Sequence, residues 1–493
     1  MTMDLQSLAR DGWLRRVDAA LGELVLRIFP ESASEVGLAA ALTARAIGEG
    51  HSALQLDGAQ AWLSGLDGRG EPPLLPDARR WIAVLRASDA VASNDNAVAD
   101  KPLVLDAQGR IYLHRYFGYE RQLAAQLIAR AADSVTPEPD DVFPFAGDDN
   151  EQYRAARIAL QHRFALITGG PGTGKTSSVV RIAASLARRA QREGHGLNIA
   201  LAAPTGKAAA RLAESVRAQK AALDLPSDVA MMIPDHATTL HAVLGLSPQR
   251  ARAKFHHDAP LPYHAVIVDE VSMVDLPLMT KLVDAVAPDA RLVLLGDPRQ
   301  LAAVEAGDVL GALVEAARES PLRECAIDLT CSHRFDANSA LGRLAAAIAA
   351  GDTTGVMAAF DHGDEVRLIE DDVHGIPQAL IEQAIGAYRD VLDAGDARDA
   401  LAAARRYRVL TALRRGPLGC VALNRAIEQR LKRRVGVPAD ATWWRGRLLM
   451  VTANRAGLGL FNGDIGVIWP DGNGDMKVWF EGADGATRAL SSA

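Results

Sequence analysis

Residues 169–176 of this chain read GGPGTGKT, in full Gly169, Gly170, Pro171, Gly172, Thr173, Gly174, Lys175 and Thr176. They match the G-x-x-x-x-G-K-[ST] phosphate loop, whose glycines let the backbone approach a polyphosphate closely. An apolar run at 164–168 precedes them and a helical pattern at 177–189 follows. This strand–turn–helix order directs backbone N–H groups and a helix N-terminus at phosphate groups. The stretch therefore predicts a nucleotide site in which Lys175 neutralises the phosphate oxygens and the Thr176 hydroxyl ligates Mg²⁺.

The overall composition narrows the class of protein. A chain of 493 residues is too long for one hydrophobic core, so about two to four domains are expected. No apolar run reaches the roughly 18 residues that a bilayer requires, so no membrane-spanning helix is predicted. The net charge of −7 argues against a generally basic nucleic-acid binder, but it leaves room for a local DNA channel. The three cysteines form no C-x-x-C pair, which predicts neither a zinc site nor disulfides and favours a reducing, cytoplasmic setting.

The order of apolar segments predicts an α/β fold. Between residues 150 and about 330, short apolar strands alternate with helical stretches, and the strands are expected at 165–168, 199–203, 265–268 and 292–295. This alternation is typical of a parallel sheet with helices on both faces, here a P-loop NTPase domain. The same alternation continues through 407–412.

The segments on either side of this region have different patterns. Apolar residues recur at helical spacing in 38–47 and 119–132, so about the first 130 residues are predicted to be mostly helical. Proline, glycine and acidic residues in 134–149 break this periodicity and indicate a linker. From about 440 onward, the pattern changes to turns and short strands, predicted at 448–452, 465–469 and 476–480. Such a pattern favours a small β-barrel or sheet.

Polar residues follow two further strands of the predicted sheet. Asp269 and Glu270 come directly after the apolar run 265–268, and Gln300 comes shortly after 292–295. The carboxyl ends of parallel strands gather at the edge of the sheet where the phosphate loop also lies. Asp269 is therefore expected to hold the hydration shell of Mg²⁺, and Glu270 to orient or deprotonate the attacking water. The Gln300 amide is expected to contact the γ-phosphate. Many P-loop kinases also place polar groups after a third strand, so the residue pattern alone does not distinguish this role.

A second set of polar residues lies near the end of the predicted strand 199–203. It consists of Pro204, Thr205, Lys207, Thr238 and His241. Small hydroxyl side chains and a cation are suited to gripping a phosphodiester backbone. The structural alternatives are equally good from the residues alone, since Thr205 could be a helix N-cap and His241 a buried core histidine.

Together these motifs resemble those of the superfamily 1B helicases, and in detail those of the RecD family of RecBCD (exodeoxyribonuclease V) subunits. The matching stretches occur in the family's order, at 169–176, 203–209, 238–244, 268–273, 296–300 and 332–335. Stretches similar to RecD in particular occur at 301–310, 414–429 and 456–466. The resemblance is strong in its motifs from about 150 to 470 and weak before that.

The resemblance implies an ATP-dependent motor that moves 5′ to 3′ on single-stranded DNA, with two RecA-like domains around the nucleotide. Gln152 resembles the family's adenine-reading glutamine, and Arg334 the arginine that reaches the γ-phosphate from the second domain. Thr205, Lys207 and the 238–241 stretch are placed on or near the DNA path. The implied partners are duplex DNA ends and RecB-like and RecC-like subunits in a heterotrimer that acts in double-strand break repair and recombination.

The same resemblance implies a domain order. It consists of a helical N-terminal docking domain (1–133), a linker (134–149), a first RecA-like ATPase domain (150–328), a partial second RecA-like domain (329–438) and a β-rich, SH3-like insert (439–493).

Two departures from the family pattern carry expectations. His333 stands where the family has a tyrosine that stacks near the base, and an imidazole can stack as well. The chain also reaches Ala493 without the family's last two motifs, one of which carries a second arginine. Because an arginine finger is worth about 10³–10⁵ in rate, this polypeptide alone is expected to bind ATP–Mg²⁺, to hydrolyse ATP poorly and not to unwind DNA.

Two alternative functions stay open at this point. One is a free-standing RecD-like 5′–3′ helicase, although residues 1–130 show no convincing helix-hairpin-helix glycine pattern. The other is an ATP-binding assembly subunit without motor activity. No separate nuclease carboxylate cluster is evident, so DNA cleavage is expected to belong to a partner subunit.

Overall fold

The computed structural model of the chain describes most of its residues. The described ranges are 4–93, 101–135, 150–223, 225–247, 253–331, 339–361, 365–369, 375–453, 455–482 and 486–490. They form two compact units, Met1–Arg334 and Phe335–Ala493. Most of the predicted linker 134–149, and both His333 and Arg334, lie outside the described residues.

The first unit begins with a small helical fold that carries its own sheet. Its helices are α1 (Leu5–Arg10), α2 (Arg16–Ile28), α3 (Ser34–Gly48), α4 (Ala59–Ser64), α5 (Ala78–Arg86) and α6 (His114–Ala132). Its strands are β1 (Leu54–Gln55), β2 (Val91–Ser93), β3 (Leu103–Leu105) and β4 (Arg110–Leu113), in the order β1-β4-β3-β2. The periodic stretches 38–47 and 119–132 lie within α3 and α6. The sheet was not predicted, because strands of two to four residues are too short to show an alternating pattern.

A six-stranded parallel sheet forms the centre of the first unit. Its strands are β5 (Phe164–Gly169), β6 (Ile199–Ala203), β7 (Thr238–Thr239), β8 (Ala265–Val268), β9 (Arg291–Gly296) and β10 (Ala326–Leu329). They run in the order β10-β5-β9-β8-β6-β7, and every neighbouring pair is parallel. The surrounding helices are α7 (Glu151–Gln161), α8 (Lys175–Glu193), α9 (Gly206–Ala222), α10 (Ser227–Met232), α11 (Leu240–Val243), α12 (Leu276–Ala285) and α13 (Val309–Glu319).

The central strands are buried on both faces, as continuous apolar runs predict. Every residue of β5, β6 and β8 is buried. Alternate side chains enter two separate cores, so that Leu166 packs into one and Ile167 into the other. The predicted parallel α/β fold is confirmed. Its consequence for function is that the ends of β5, β8, β9 and β6 lie along one edge of the sheet.

Helix α6 fastens the N-terminal fold to this sheet domain. Arg130, only 8% exposed, donates hydrogen bonds to the carbonyl oxygens of Ala287 and Ala290, both at 3.1 Å, and to those of Val283 and Val286. Two of these carbonyls belong to the last turn and the C-cap of α12, where a helix leaves its carbonyl groups unpaired. Burial lowers the pKa of Arg130 from its usual value.

Substituting Arg130 by methionine is expected to destabilise the first unit by about 3 kcal/mol, because the bonds of a charged donor are lost and buried carbonyls stay unpaired. The urea-denaturation midpoint, read by far-UV circular dichroism, measures this change. Arg27→Met, at an exposed arginine of α2, is the matched control and should change stability by less than about 0.5 kcal/mol. Equal midpoints for the two variants would contradict the assigned role of Arg130.

The described residues of the second unit form five helices and an antiparallel sheet. The helices are α14 (Ala340–Ala350), α15 (Thr353–Phe360), α16 (Gln378–Asp393), α17 (Ala397–Ala404) and α18 (Cys420–Val435). The strands are β11 (Leu448–Met450), β12 (Ile465–Pro470), β13 (Met476–Glu481) and β14 (Thr487–Leu490), each paired with the next.

The alternation predicted through 407–412 does not produce a strand. Tyr407 and Val409 pack against the core that α16 and α18 share, while Leu410 is 90% exposed. In the described part of the unit, no neighbouring strand pairs with this segment. Of the helices in the described ranges, none combines the length and apolar character that crossing a bilayer requires.

Candidate nucleotide site

The phosphate loop leaves β5 in a conformation that only its glycines permit. Gly172 and Gly174 have φ angles of 81° and 84°, in the left-handed region that side chains disfavour. At Gly169 a Cβ atom would lie 2.5 Å from the Thr173 hydroxyl oxygen and 2.9 Å from the carbonyl oxygen of Leu329. The Thr173 hydroxyl donates a hydrogen bond of 2.9 Å to the Gly170 carbonyl, which closes the loop on itself.

Lys175 lies across this loop at the start of α8. Its ammonium group donates to the carbonyl oxygens of Gly169 and Gly170, the latter at 3.0 Å. The N-cap of α8, Gly174, supplies no side-chain hydrogen bond to the first turn. The first-turn N–H groups and the helix dipole therefore remain available to an anion. Thr176 follows in this first turn, half-buried, in the position that the motif assigns to a metal-ligating hydroxyl.

Asp269 directly follows β8, at the same edge of the sheet as the phosphate loop. Its side chain is buried, and its Oδ1 accepts a 2.8 Å hydrogen bond from the backbone N–H of Glu270. Burial raises the pKa of Asp269 to about 6, and the neighbouring Glu270 carboxylate adds to the rise while the Lys175 ammonium opposes it. The strands β5 and β8 both pair in parallel with β9, so their carboxyl ends lie at the same edge of the sheet.

Glu270 is held in a strained backbone conformation. Its φ of 57° and ψ of 40° are left-handed, and among the described residues it is the one non-glycine with positive φ. Such a conformation costs about 1–3 kcal/mol and persists where the surrounding structure enforces it, commonly at functional sites. The residues that follow, Val271 and Ser272, are buried in a 3₁₀ turn that fixes the strained position.

Two buried oxygens beside this turn lack a partner among the described residues. They are Oε2 of Glu270 and the hydroxyl oxygen of Ser272. An unpaired buried polar atom costs about 1–3 kcal/mol, so both indicate a polar ligand. Together with the buried Asp269, this donor set of hard oxygens fits a hydrated divalent cation and a reacting water.

Gln300 reaches the same sheet edge on the loop after β9, the strand between β5 and β8. Its side chain is exposed, and its backbone N–H donates to the carbonyl oxygen of Asp297 at 3.1 Å. The Asp297 side chain is buried and accepts from the N–H of Arg299 at 3.0 Å. A buried carboxylate therefore shapes the loop that presents Gln300.

Gln152 lies in the first turn of α7, beside the first turn of α8. The Ser177 hydroxyl is 3.4 Å from its Oε1 atom. The cap of α7 is Asn150, whose side chain accepts from the N–H of Tyr153 at 2.9 Å. Gln152 is therefore next to the phosphate-loop helix, where its side-chain amide can form hydrogen bonds with a nucleobase.

The residues proposed to contact DNA occupy the ends of two neighbouring strands, β6 and β7. Ala203 of β6 is in register with Thr239 of β7, which brings the segments 204–207 and 238–241 together. The Thr205 hydroxyl caps α9 by accepting a hydrogen bond from the Ala208 N–H at 3.2 Å, so the alternative role of Thr205 as a helix N-cap is confirmed. His241 is exposed, so the alternative of a buried core histidine is wrong. Lys207 is also exposed, whereas Pro204 and Thr238 are half-buried.

The structure adds residues that the sequence analysis missed. Ser272 gives no signal in the sequence, because a serine two positions after an acidic pair is common on any surface. Glu151 and Asp328 also contact segments near the site, through bonds between residues far apart in the chain. Arg334 lies outside the described residues, and its assignment remains a prediction.

A parallel sheet that places a phosphate loop, a buried aspartate and a strained glutamate at one edge defines a P-loop NTPase of the RecA-like class. Family comparison agrees, since residues 152–306 match the AAA domain and residues 10–112 match the N-terminal domain of the RecBCD enzyme subunit RecD. The RecBCD enzyme subunit RecD of Mycobacterium tuberculosis is 38% identical over 95% of this chain and 79% of that protein. The chain therefore belongs to the family of RecBCD enzyme RecD subunits.

Two further relatives match this chain with lower identity and coverage. The RecBCD enzyme subunit RecD of Haemophilus influenzae is 30% identical over 76% of this chain and 67% of that protein. The ATP-dependent RecD2 DNA helicase of Deinococcus radiodurans is 32% identical over 80% of this chain but only 49% of that protein. This chain thus spans more of the RecBCD subunits than of the longer helicase.

Proposed function

We propose that this chain is the ATP-dependent 5′–3′ DNA helicase subunit of a RecBCD-type helicase–nuclease. The observation that carries the proposal is that β5 and β8 end at one edge of a parallel sheet, where β5 is followed by the phosphate loop with Lys175 and β8 by Asp269 and Glu270. The neighbouring strands β6 and β7 place Lys207 and His241 at the same edge. Nucleotide hydrolysis and a grip on DNA would therefore share one rigid sheet, as coupling of the two requires.

In this proposal each residue has a defined task. Lys175 and the first-turn N–H groups of α8 bind the phosphates, Glu270 orients the attacking water, and Gln300 contacts the γ-phosphate. Thr176 and Asp269 would hold Mg²⁺, whose chemistry is to neutralise the charge that develops on the phosphate oxygens. Gln152 would contact the adenine, and Arg334 would contact the γ-phosphate. Because chromosomal DNA is the proposed substrate, we place the protein in the cytoplasm.

Two observations favour this function over the alternatives. A free-standing helicase is less well supported, because residues 10–112 match the N-terminal domain of the RecBCD enzyme subunit RecD, and the identity to a RecBCD subunit is 38% against 32% to the RecD2 helicase. An assembly subunit without motor activity has no need for a glutamate with a strained backbone and a buried, unpaired oxygen beside its nucleotide site, yet Glu270 has both.

The direct test is unwinding by the chain assembled with RecB-like and RecC-like subunits. A partial duplex with a 5′ single-stranded overhang should be unwound in an ATP-dependent manner, and the Lys175→Ala complex should lose this activity. Unwinding of 5′-overhang substrates that is unchanged by Lys175→Ala would reject the proposal. A chain that fails to bind RecB-like and RecC-like partners, yet unwinds alone, would support the free-standing alternative.

Substituting Lys207 by alanine is expected to weaken single-stranded DNA binding in a salt-dependent way. Loss of one phosphate contact lowers the slope of log affinity against log salt by about 0.7 for single strands. Fluorescence anisotropy of a labelled oligonucleotide at several salt concentrations measures this slope. Lys101→Ala is the control, since Lys101 donates to the Val91 carbonyl within the N-terminal fold. A slope that falls equally in both variants would contradict a DNA contact by Lys207.

A further inference from the structure

The carboxylate of Glu151 joins two distant segments beside the nucleotide site. Its Oε2 accepts hydrogen bonds from the backbone N–H groups of Thr330 at 2.9 Å and Cys331 at 3.2 Å, and its Oε1 accepts from the Thr330 hydroxyl at 2.6 Å. These residues are 179 and 180 positions away in the chain. The three bonds, with the Thr330 hydroxyl foremost, lower the pKa of Glu151, so the carboxylate is charged at neutral pH.

Both segments that Glu151 connects lie next to parts of the proposed nucleotide site. Glu151 is the first residue of α7, and the next residue is Gln152, which lies 3.4 Å from the Ser177 hydroxyl of α8. Thr330 and Cys331 directly follow β10, the edge strand that pairs with the phosphate-loop strand β5. Residue 330 is also four positions before Arg334 in the sequence, on the stretch that leads into the second unit.

Strand β10 also forms side-chain contacts with residues near the phosphate loop and the Gln300 loop. The Thr168 hydroxyl, one residue before the phosphate loop, donates to Asp328 Oδ1 at 2.8 Å. The guanidinium of Arg299, next to Gln300, lies 3.5 Å from Asp328 Oδ2. The end of β10 is therefore held by β5 and the Gln300 loop through Asp328, and by α7 through Glu151.

We propose that Glu151 is a positioning residue that couples nucleotide occupancy at α7 to the chain segment leaving β10. This inference rests on the proposed function, because it requires that Gln152 contacts the base of a bound nucleotide. A base that orders the first turn of α7 also orders Thr330 and Cys331, since a single side chain accepts from both N–H groups. In this way the segment that continues toward the second unit is fixed when the nucleotide is bound.

A purely structural role makes different predictions. An acidic residue in the first turn of a helix stabilises that helix through its dipole by about 0.3–1 kcal/mol. Such a role would lower the melting temperature of a variant without changing how the β10 segment responds to nucleotide. A coupling role instead predicts that the variant changes how strongly bound nucleotide protects the β10 segment from hydrogen exchange.

Hydrogen exchange on the full chain tests the coupling, with Mg²⁺ and a non-hydrolysable ATP analogue as the probe. In the wild type the analogue should slow exchange of the 326–331 peptide by about tenfold, the factor that 1.4 kcal/mol of added protection gives. In Glu151→Ala that peptide should exchange faster and gain no protection from the analogue. Glu151→Gln should restore part of the protection, because its amide oxygen still accepts one of the N–H bonds.

A second readout separates positioning from folding. Glu151→Ala should reduce the preference of the chain for ATP over GTP in fluorescence titrations, since Gln152 is no longer held. Glu193→Ala, which removes a carboxylate that accepts from Arg189 at the far end of α8, is the matched control and should keep both responses. Undiminished analogue protection of 326–331 in Glu151→Ala, or a lower melting temperature as its only change, would overturn the inference. A wild-type chain that binds no ATP would instead reject the proposed function.

Discussion

Replacing Glu270 with glutamine is expected to lower ATP hydrolysis by this chain by about 10²–10⁴-fold while ATP binding is retained, the range typical of a lost general base. The amide keeps the size and polarity of the side chain but accepts a proton poorly. Hydrolysis is measured on the complex with RecB-like and RecC-like subunits and single-stranded DNA. The rate of the Lys175→Ala complex is subtracted, so that hydrolysis by the partner subunits cancels.

The backbone strain at Glu270 supplies an independent check on the same residue. Glu270→Gly should also lose hydrolysis, but it should raise the free energy of unfolding by about 1–2 kcal/mol, because glycine adopts a left-handed conformation without strain. The buried, unpaired Oε2 atom disappears as well. Activity and stability then change in opposite directions, as expected where a fold carries strain for function. Retained hydrolysis in Glu270→Gln would remove this residue from the reaction.

Replacing Lys175 with alanine is expected to weaken ATP binding by about 10- to 150-fold, which corresponds to loss of one hydrogen bond to a charged group at 1.5–3 kcal/mol. The ammonium already lies against the Gly169 and Gly170 carbonyls, so it is positioned before a phosphate arrives. Titration of the purified chain with a fluorescent ATP analogue measures the dissociation constant, and circular dichroism confirms that the variant is folded.

The matched control for Lys175 is an arginine at the same position. Lys175→Arg keeps the charge, but the planar guanidinium is too large for the space between the loop carbonyls, so binding should be only partly restored. Full affinity in Lys175→Ala would mean that the nucleotide binds elsewhere. A variant that is unfolded by circular dichroism calls for Lys175→Met, which preserves the length of the side chain.

The central sheet was predictable because its strands are buried on both faces. The apolar runs are followed by glycine, proline or an acidic residue. The strands β5, β6, β8 and β9 start and end within one residue of the predicted positions. Edge strands carry a weaker signal. β10 and the strands of the N-terminal sheet have mixed or very short patterns, and they form through pairing with distant segments.

The candidate site was predictable in part. Lys175, Asp269 and Glu270 follow from motif chemistry and from the geometry of parallel strands, whose carboxyl ends lie at one edge of the sheet. The strain at Glu270 and the orphaned hydroxyl of Ser272 depend on tertiary packing, and the sequence contains no sign of either. The contact from Glu151 to Thr330 spans 179 positions, which no local pattern can indicate.

The second unit shows where pattern reasoning is incomplete. Residues 407–412 are β-branched and apolar enough to predict a strand, yet a strand exists only when a neighbour accepts its hydrogen bonds. In the described part of this unit, Tyr407 and Val409 pack against helices instead. The predicted domain bounds, including the partial second RecA-like domain and the SH3-like insert, stay predictions.

A double-mutant cycle on ATP–Mg²⁺ affinity tests the central claim, which is that the ends of β5 and β8 serve one bound nucleotide. Dissociation constants are measured for the wild type, Lys175→Ala, Asp269→Asn and the double variant. Side chains that act on the same triphosphate and metal should show a coupling energy of about 0.5–3 kcal/mol. Effects that add within about 0.3–0.5 kcal/mol would show that the two residues act independently and would contradict a shared nucleotide site.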